Sequence, residues 1–174
     1  MSQALILIDF QRDFGAPDGA MARQGHDITA AQAALAKAMA LAAAARAAKT
    51  PIIFVRLISD ELCIDGTPGA AFIGPQPQAG DHIVTKSRFS AFTQTGLADH
   101  LRGHGIDTVI LAGLTTECCV AATAWAAFEE GFEVTVAADA CAAYEDELHR
   151  VTLKALKLSG IVVADGETFA LGYI

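Results

Sequence analysis

Short apolar runs, each closed by a turn signal, alternate along this chain with segments of helical period, and that alternation restricts the fold more than any other feature. The runs fall at Ala4–Asp9, Ile52–Ile58, His82–Thr85, Thr108–Ala112, Glu133–Ala137 and Ile161–Val163. Several carry Val and Ile at successive positions, so both sides of the strand need an apolar cover. A parallel sheet with helices on both faces supplies that cover. The segments between them read as helices at Ala30–Ala48, Gly96–Gly103, Glu117–Glu130 and Asp146–Leu158. Thr29 and Gln32 have the spacing of a capping box, Pro51 closes the first helical segment, and Gly131 stands where a left-handed C-cap belongs. The pattern predicts an α/β fold built from βα units, as a single domain over residues 1–174.

One long irregular stretch, Ser59–Asp81, interrupts the pattern. A loop of that length inside a compact domain is more often functional than ornamental.

Charge and composition exclude several function classes. The net charge is −8 and no Lys/Arg run occurs, so the basic footprint of a nucleic-acid surface is missing. No apolar run approaches the roughly 18 residues of a membrane span. Ala4–Ile8 is too short for a signal-peptide core and lacks a basic lead, so the expected location is cytoplasmic. The cysteines, Cys63, Cys118, Cys119 and Cys141, match no Cys-x-x-Cys metal pattern, and a bridge between the adjacent pair would be strained. In a reducing compartment they are expected as thiols.

A doubly wound sheet binds ligands beyond the carboxyl ends of its strands, where the connections diverge. Three reactive side chains fall at such ends. Asp9 closes the run ALILID, where partial desolvation would raise its pKa toward that of a useful base; a loop or cap carboxylate is the plainer alternative. Lys86 follows HIVT, either as a solvated exit residue or as a cation that holds a carboxylate and balances developing negative charge. In LAGLTTECCVAATAWAAFEEG a strand, a tight turn and a helix follow one another, placing a cysteine in the helix's first turn. Free N–H groups and the positive helix end favour a thiolate there and can form an oxyanion hole; a small buried core residue is the alternative. Position alone does not choose between Cys118 and Cys119.

Taken together, LILIDFQRDF, VTKSRFSAF and GLTTECCVAATAWAAFEEGFEVTVAADAC resemble the isochorismatase-like cysteine hydrolases, in the same order and spacing over nearly the whole chain. The resemblance implies a three-layer α/β/α, Rossmann-like fold whose six parallel strands run in the order 3-2-1-4-5-6. It maps the family's aspartate, lysine and nucleophile onto Asp9, Lys86 and Cys119, the last being the cysteine before Val120. It further implies a cis peptide between Leu114 and Thr115, an oxyanion hole formed by the backbone N–H groups of Thr115 and Cys119, and packing as the role of Cys118. The activity implied is hydrolysis of a C–N bond in a small amide, ureide or carbamoyl compound through a thioester. Homologous proteins are commonly dimers or tetramers, so a homo-oligomer acting on a small molecule is expected.

Departures from the family's metal-dependent nicotinamidases matter as much. Those carry Asp-x-His and a further histidine after the second strand, whereas VRLISDELCIDG has none, so no metal and no other cofactor is expected. The five histidines, at 26, 82, 100, 104 and 149, show no ligand spacing. Phe14, Phe89 and Phe92 are candidates for the wall of a substrate pocket, and Arg56 and Arg88 for gripping a carboxylate-bearing substrate, although core and surface roles compete. Asp139 is read as a turn or cap residue ending the fifth strand. Two other functions stay open: vinyl-ether hydrolysis of the isochorismate type, which the presence of Cys119 disfavours, and a non-catalytic binding or thiol-redox role on the same fold.

Overall fold

Strand β1 (Gln3–Ile8) shows why the sheet has to be covered twice. Ala4, Ile6 and Ile8 enter one apolar cluster and Leu5 and Leu7 another, all at 1% exposure or less. Burying each of the larger side chains is worth about 1.5–3 kcal/mol, so neither face of the strand can be left to water. The computed structural model, which describes residues 2–170, satisfies this with a six-stranded parallel sheet. Its other strands are β2 (Ile52–Leu57), β3 (His82–Lys86), β4 (Thr108–Leu114), β5 (Glu133–Ala142) and β6 (Val162–Ala164), in the order β3-β2-β1-β4-β5-β6.

Two short helices, α1 (Arg12–Gly15) and α2 (Ala20–Arg23), follow β1. On one face lies α3 (Thr29–Ala47), which buries Ala31, Ala34, Ala38, Leu41, Ala42 and Ala45; with so many methyl side chains it approaches the sheet closely. Helices α4 (Leu97–Gly103), α5 (Ala121–Glu129) and α6 (Asp146–Leu158) cover the opposite face, contributing Leu97, Leu101, Ala121, Ala124, Ala127 and Leu156 to its core. The described chain ends in a last short helix, α7 (Glu167–Ala170). None of the described helices is long and apolar enough to cross a membrane.

The predicted elements are all present, with informative shifts. The capping box does not form: Thr29 is already helical, and Asp27 Oδ1 accepts its N–H at 2.9 Å. The Asp27 carboxylate, two residues before Thr29, holds this first N–H in a local turn at the positive helix end. Gly131 does take the left-handed conformation, at φ 87°. Strand β5 runs five residues beyond its expected end at Ala137, after a register irregularity against β4 between Leu111 and Gly113. Asp139 therefore sits within the strand rather than at its end. Its Oδ1 accepts the Gly166 N–H at 2.7 Å and its Oδ2 pairs with Lys37 at 3.3 Å, so it ties β5 to the segment after β6.

The order in which successive strands are added reverses between β1 and β4, which places the switch point at their carboxyl ends. The two strands approach unusually closely there: a Cβ on Gly113 would lie 2.3 Å from the carbonyl oxygen of Ile8. Only glycine permits that contact.

The 59–81 stretch is anchored rather than loose. Gln11, fully buried, donates to the carbonyls of Leu57 (2.9 Å) and Ala70 (3.0 Å) and accepts the Leu57 N–H (2.8 Å). Asp13 accepts the N–H groups of Cys63 at 2.8 Å and Ala20 at 3.1 Å. A Cβ on Gly69 would sit 2.3 Å from that carboxylate, so the stretch closes over it only with glycine at this position.

Candidate active site

Three elements deliver one side chain each to the switch point. Asp9 follows the last residue of β1 and turns out of the strand with φ 53°. Lys86 is the final residue of β3, one position further into the strand than expected. Strand β4 extends to Leu114, continues through a cis peptide to Thr115, and enters a π-helical turn, Thr116–Val120, before α5 begins. The expected helix start at Glu117 is thus a wider turn, closed by the Val120 N–H donating to the Thr115 carbonyl at 3.1 Å. Cys119 lies in this turn.

The three meet. Lys86 Nζ is 2.6 Å from Asp9 Oδ2, donates to Cys119 Sγ at 3.3 Å and to the Arg88 carbonyl at 3.1 Å. An ammonium has three protons, and each has a partner here. The exposures of Asp9, Lys86 and Cys119 are 0%, 2% and 5%, so this is an ion pair in a nearly dry setting, against the partial desolvation expected for Asp9. Beyond that ion pair, neither Asp9 oxygen receives a hydrogen bond among the described residues. Burial raises the Asp9 pKa above its ordinary value, with the Lys86 charge opposing. The Cys119 thiol is pushed up strongly, first by burial and next by the Asp9 charge, against the pull of Lys86. Burial and the neighbouring carboxylate thus work against the thiolate that a helix start would favour.

A cavity of about 330 Å³ opens beside Cys119, lined by Phe14, Met21, His26, Leu57, Leu62, Phe89, Thr115, Glu117, Cys118, Tyr144, Glu145 and Leu148. Of the aromatic candidates, Phe14 and Phe89 line it. Phe92 does not: it packs against the core with its ring 5.7 Å from that of Phe132. Arg56 donates to Thr85 Oγ1 at 2.9 Å, and Arg88 is exposed; neither lines the cavity. The long loop contributes only Leu62.

Sequence reasoning missed Glu117, Tyr144 and His26. The Tyr144 hydroxyl donates to the Phe14 carbonyl at 2.8 Å and its ring lies 5.0 Å from that of His26. These come from segments far apart in the chain, and no local pattern joins them. Glu117 looked like an ordinary acidic residue of a first helical turn.

At the opposite end of the sheet, His82, His100 and His104 gather although they are scattered in sequence. Among the described residues, no group of three or more His, Cys, Asp or Glu side chains is arranged to hold a metal ion.

Comparison with known proteins identifies the family. The family model for the isochorismatase domain matches residues 3–168. Maleamate amidohydrolase of Pseudomonas putida is 31% identical over 169 residues, covering 86% of this chain and 76% of that enzyme. Among solved structures, an isochorismatase-like hydrolase from Alkaliphilus metalliredigens superimposes with a TM-score of 0.91 at 25% identity, covering 100% of both chains. N-carbamoylsarcosine amidase from Thermoplasma acidophilum does so with a TM-score of 0.80 at 26% identity, covering 95% of this chain and 97% of the other. The chain belongs to the isochorismatase family of hydrolases and is related to its amidohydrolases.

Proposed function

We propose that this protein is a metal-independent cysteine hydrolase that cleaves the C–N bond of a small amide, ureide or carbamoyl compound through a thioester. The observation that carries the reading is the buried contact of Lys86 with both Asp9 and Cys119, set against a cavity large enough for a small molecule. Relatives named as amidohydrolases for maleamate and ureidoacrylate support the reaction type.

Asp9, with its raised proton affinity, takes the proton from Cys119 as the sulfur attacks the substrate carbonyl. Lys86, in contact with both groups, stabilises whichever of them is negative. The oxyanion is held by the backbone N–H groups of Thr115 and Cys119. When the tetrahedral adduct collapses, the C–N bond breaks and the proton on Asp9 passes to the leaving nitrogen, releasing ammonia or an amine. Water then attacks the thioester carbonyl, giving a proton to Asp9; the C–S bond breaks, the acid departs and the proton returns to sulfur.

The test is ammonia release across a panel of small amides and ureides, for wild type and Cys119→Ala, with chelator present throughout. Release by wild type that disappears in the variant and ignores chelator is the expected result. Full turnover by Cys119→Ala, or loss of wild-type turnover on chelation, overturns the reading.

A further inference from the structure

The cavity beside Cys119 has an electrical character that the catalytic groups do not explain. Its lining includes two carboxylates, Glu117 and Glu145, and no lysine or arginine. The one basic lining side chain, His26, packs with its ring tilted against that of Tyr144. Lys86 cannot serve as a counter-charge for a ligand, because its three protons are committed to Asp9, Cys119 and the Arg88 carbonyl. Glu117 stands two residues before the nucleophile, and its Oε2 is buried with no hydrogen-bond partner among the described residues. Its charge reaches its surroundings: after burial, it is the largest influence raising the Cys118 thiol and the Tyr144 hydroxyl. A buried acceptor without a donor is costly, and in a ligand cavity the missing donor is one that the ligand can bring.

We propose that Glu117 is a specificity-determining residue that receives a cationic or N–H-rich end of the substrate, so that the site takes neutral or cationic small amides and rejects those bearing a carboxylate. Apolar side chains such as Phe14, Leu57 and Leu62 would hold the stem between that end and the carbonyl at Cys119. The inference rests on the hydrolase reading only for the identity of the scissile group. Specificity of this kind works largely by exclusion: a carboxylate brought beside Glu117 would be desolvated next to a like charge.

Binding, measured apart from turnover, tests it. Cys119→Ala protein is titrated by calorimetry with three amides of matched length: 4-aminobutanamide, butanamide and succinamate. The ammonium-bearing amide is expected to bind at least about tenfold more tightly than the carboxylate-bearing one, with the neutral amide between them. Adding Glu117→Gln should shrink that ratio to within about threefold, while Glu117→Asp should restore the order. A merely structural role for Glu117 would weaken all three alike. Equal or tighter binding of succinamate, a ratio that survives Glu117→Gln, or no binding of 4-aminobutanamide at millimolar concentration each overturns the proposal. Selective binding without hydrolysis by wild type would instead overturn the reaction and leave the specificity standing.

Discussion

The two ends of the sheet carry hollows of opposite character. At the amino ends of β2 and β3, a cleft of about 540 Å³ is lined by Arg46, Lys49, Asp81, His82, His100 and His104, among others. It is the roomier of the two and the richer in basic side chains. Its charges are nevertheless at ease: Arg46 bonds Asp81 at 2.7 Å near the surface, and the rings of His82 and His100 stack at 3.6 Å in reach of water. The carboxyl end has the smaller cavity, and behind it a charged pair at 0% and 2% exposure. Desolvating such a pair has a cost that solvent-exposed charges never meet. Unrelieved electrostatic cost, rather than volume, distinguishes the end where chemistry is placed.

The sharpest way to break this contrast is by activity. Cys119→Ala or Asp9→Ala should lower turnover by about a thousandfold or more, while His82→Ala, His100→Ala and His104→Ala combined should leave it within about twofold of wild type. Loss of activity in the triple variant would show that the contrast is drawn at the wrong end.

Stability gives the next effect. Lys86→Met leaves Asp9 buried and unpaired and should cost about 3–5 kcal/mol in denaturant unfolding. Asp9→Asn with Lys86→Met should recover most of that loss, since no charge is then stranded. A double variant no more stable than the single one would mean the pair is held by packing rather than by charge.

Acidity sharpens the comparison further. Folding raises the Asp9 pKa above 3.8, so between the unfolded and folded values the folded chain holds a proton there that the unfolded chain has released. The stability contributed by this group is present below that value and lost as pH rises through the folded one. Unfolding free energy of wild type relative to Asp9→Asn should therefore decline as pH increases from about 4. The sign reverses at the other end. Burial, then the neighbouring His82 and His104, lowers the His100 pKa below 6.5, so its contribution is present above 6.5 and lost as pH falls through the folded value. Because His100 remains partly open to solvent, screening keeps that change small. A steep loss of stability between pH 7 and 5 that His100→Ala abolishes would contradict this.

The smallest expected effect is on stability when His100 is cut back at neutral pH. His100→Ala should change it by less than about 0.5 kcal/mol, whereas Gln11→Ala, which orphans backbone groups of Leu57 and Ala70 under the long loop, should cost about 2–3 kcal/mol.

What could be read in the sequence follows the same division. Strands and helices were legible because Val/Ile runs and helical periods are local, and Asp9 and Lys86 were legible because each sits at a strand end, whereas only the family resemblance separated Cys119 from Cys118. The π-helical turn at Thr116–Val120 was not, since its residues have no composition that separates it from a first turn of α-helix. Nor was the inward role of Gln11 and Asp13, which look like surface polar residues in DFQRDF until the 59–81 stretch folds over them. Phe92 and Phe14 are equivalent as letters; only packing against Phe132 sends one to the core and leaves the other at the cavity.

The near-complete burial of Asp9, Lys86 and Cys119 has a further consequence for how the proposed thioester hydrolysis would run. With the thiol protonated, the cluster holds one negative and one positive charge; after the proton crosses from sulfur to carboxylate it holds the same two. Acylation likewise leaves the sum at zero once the leaving nitrogen carries the proton away and Asp9 is negative again. A site whose total charge never changes has no need to draw in counter-ions or flood with water at any stage, so it can stay closed on its inner side while the substrate comes and goes on the other.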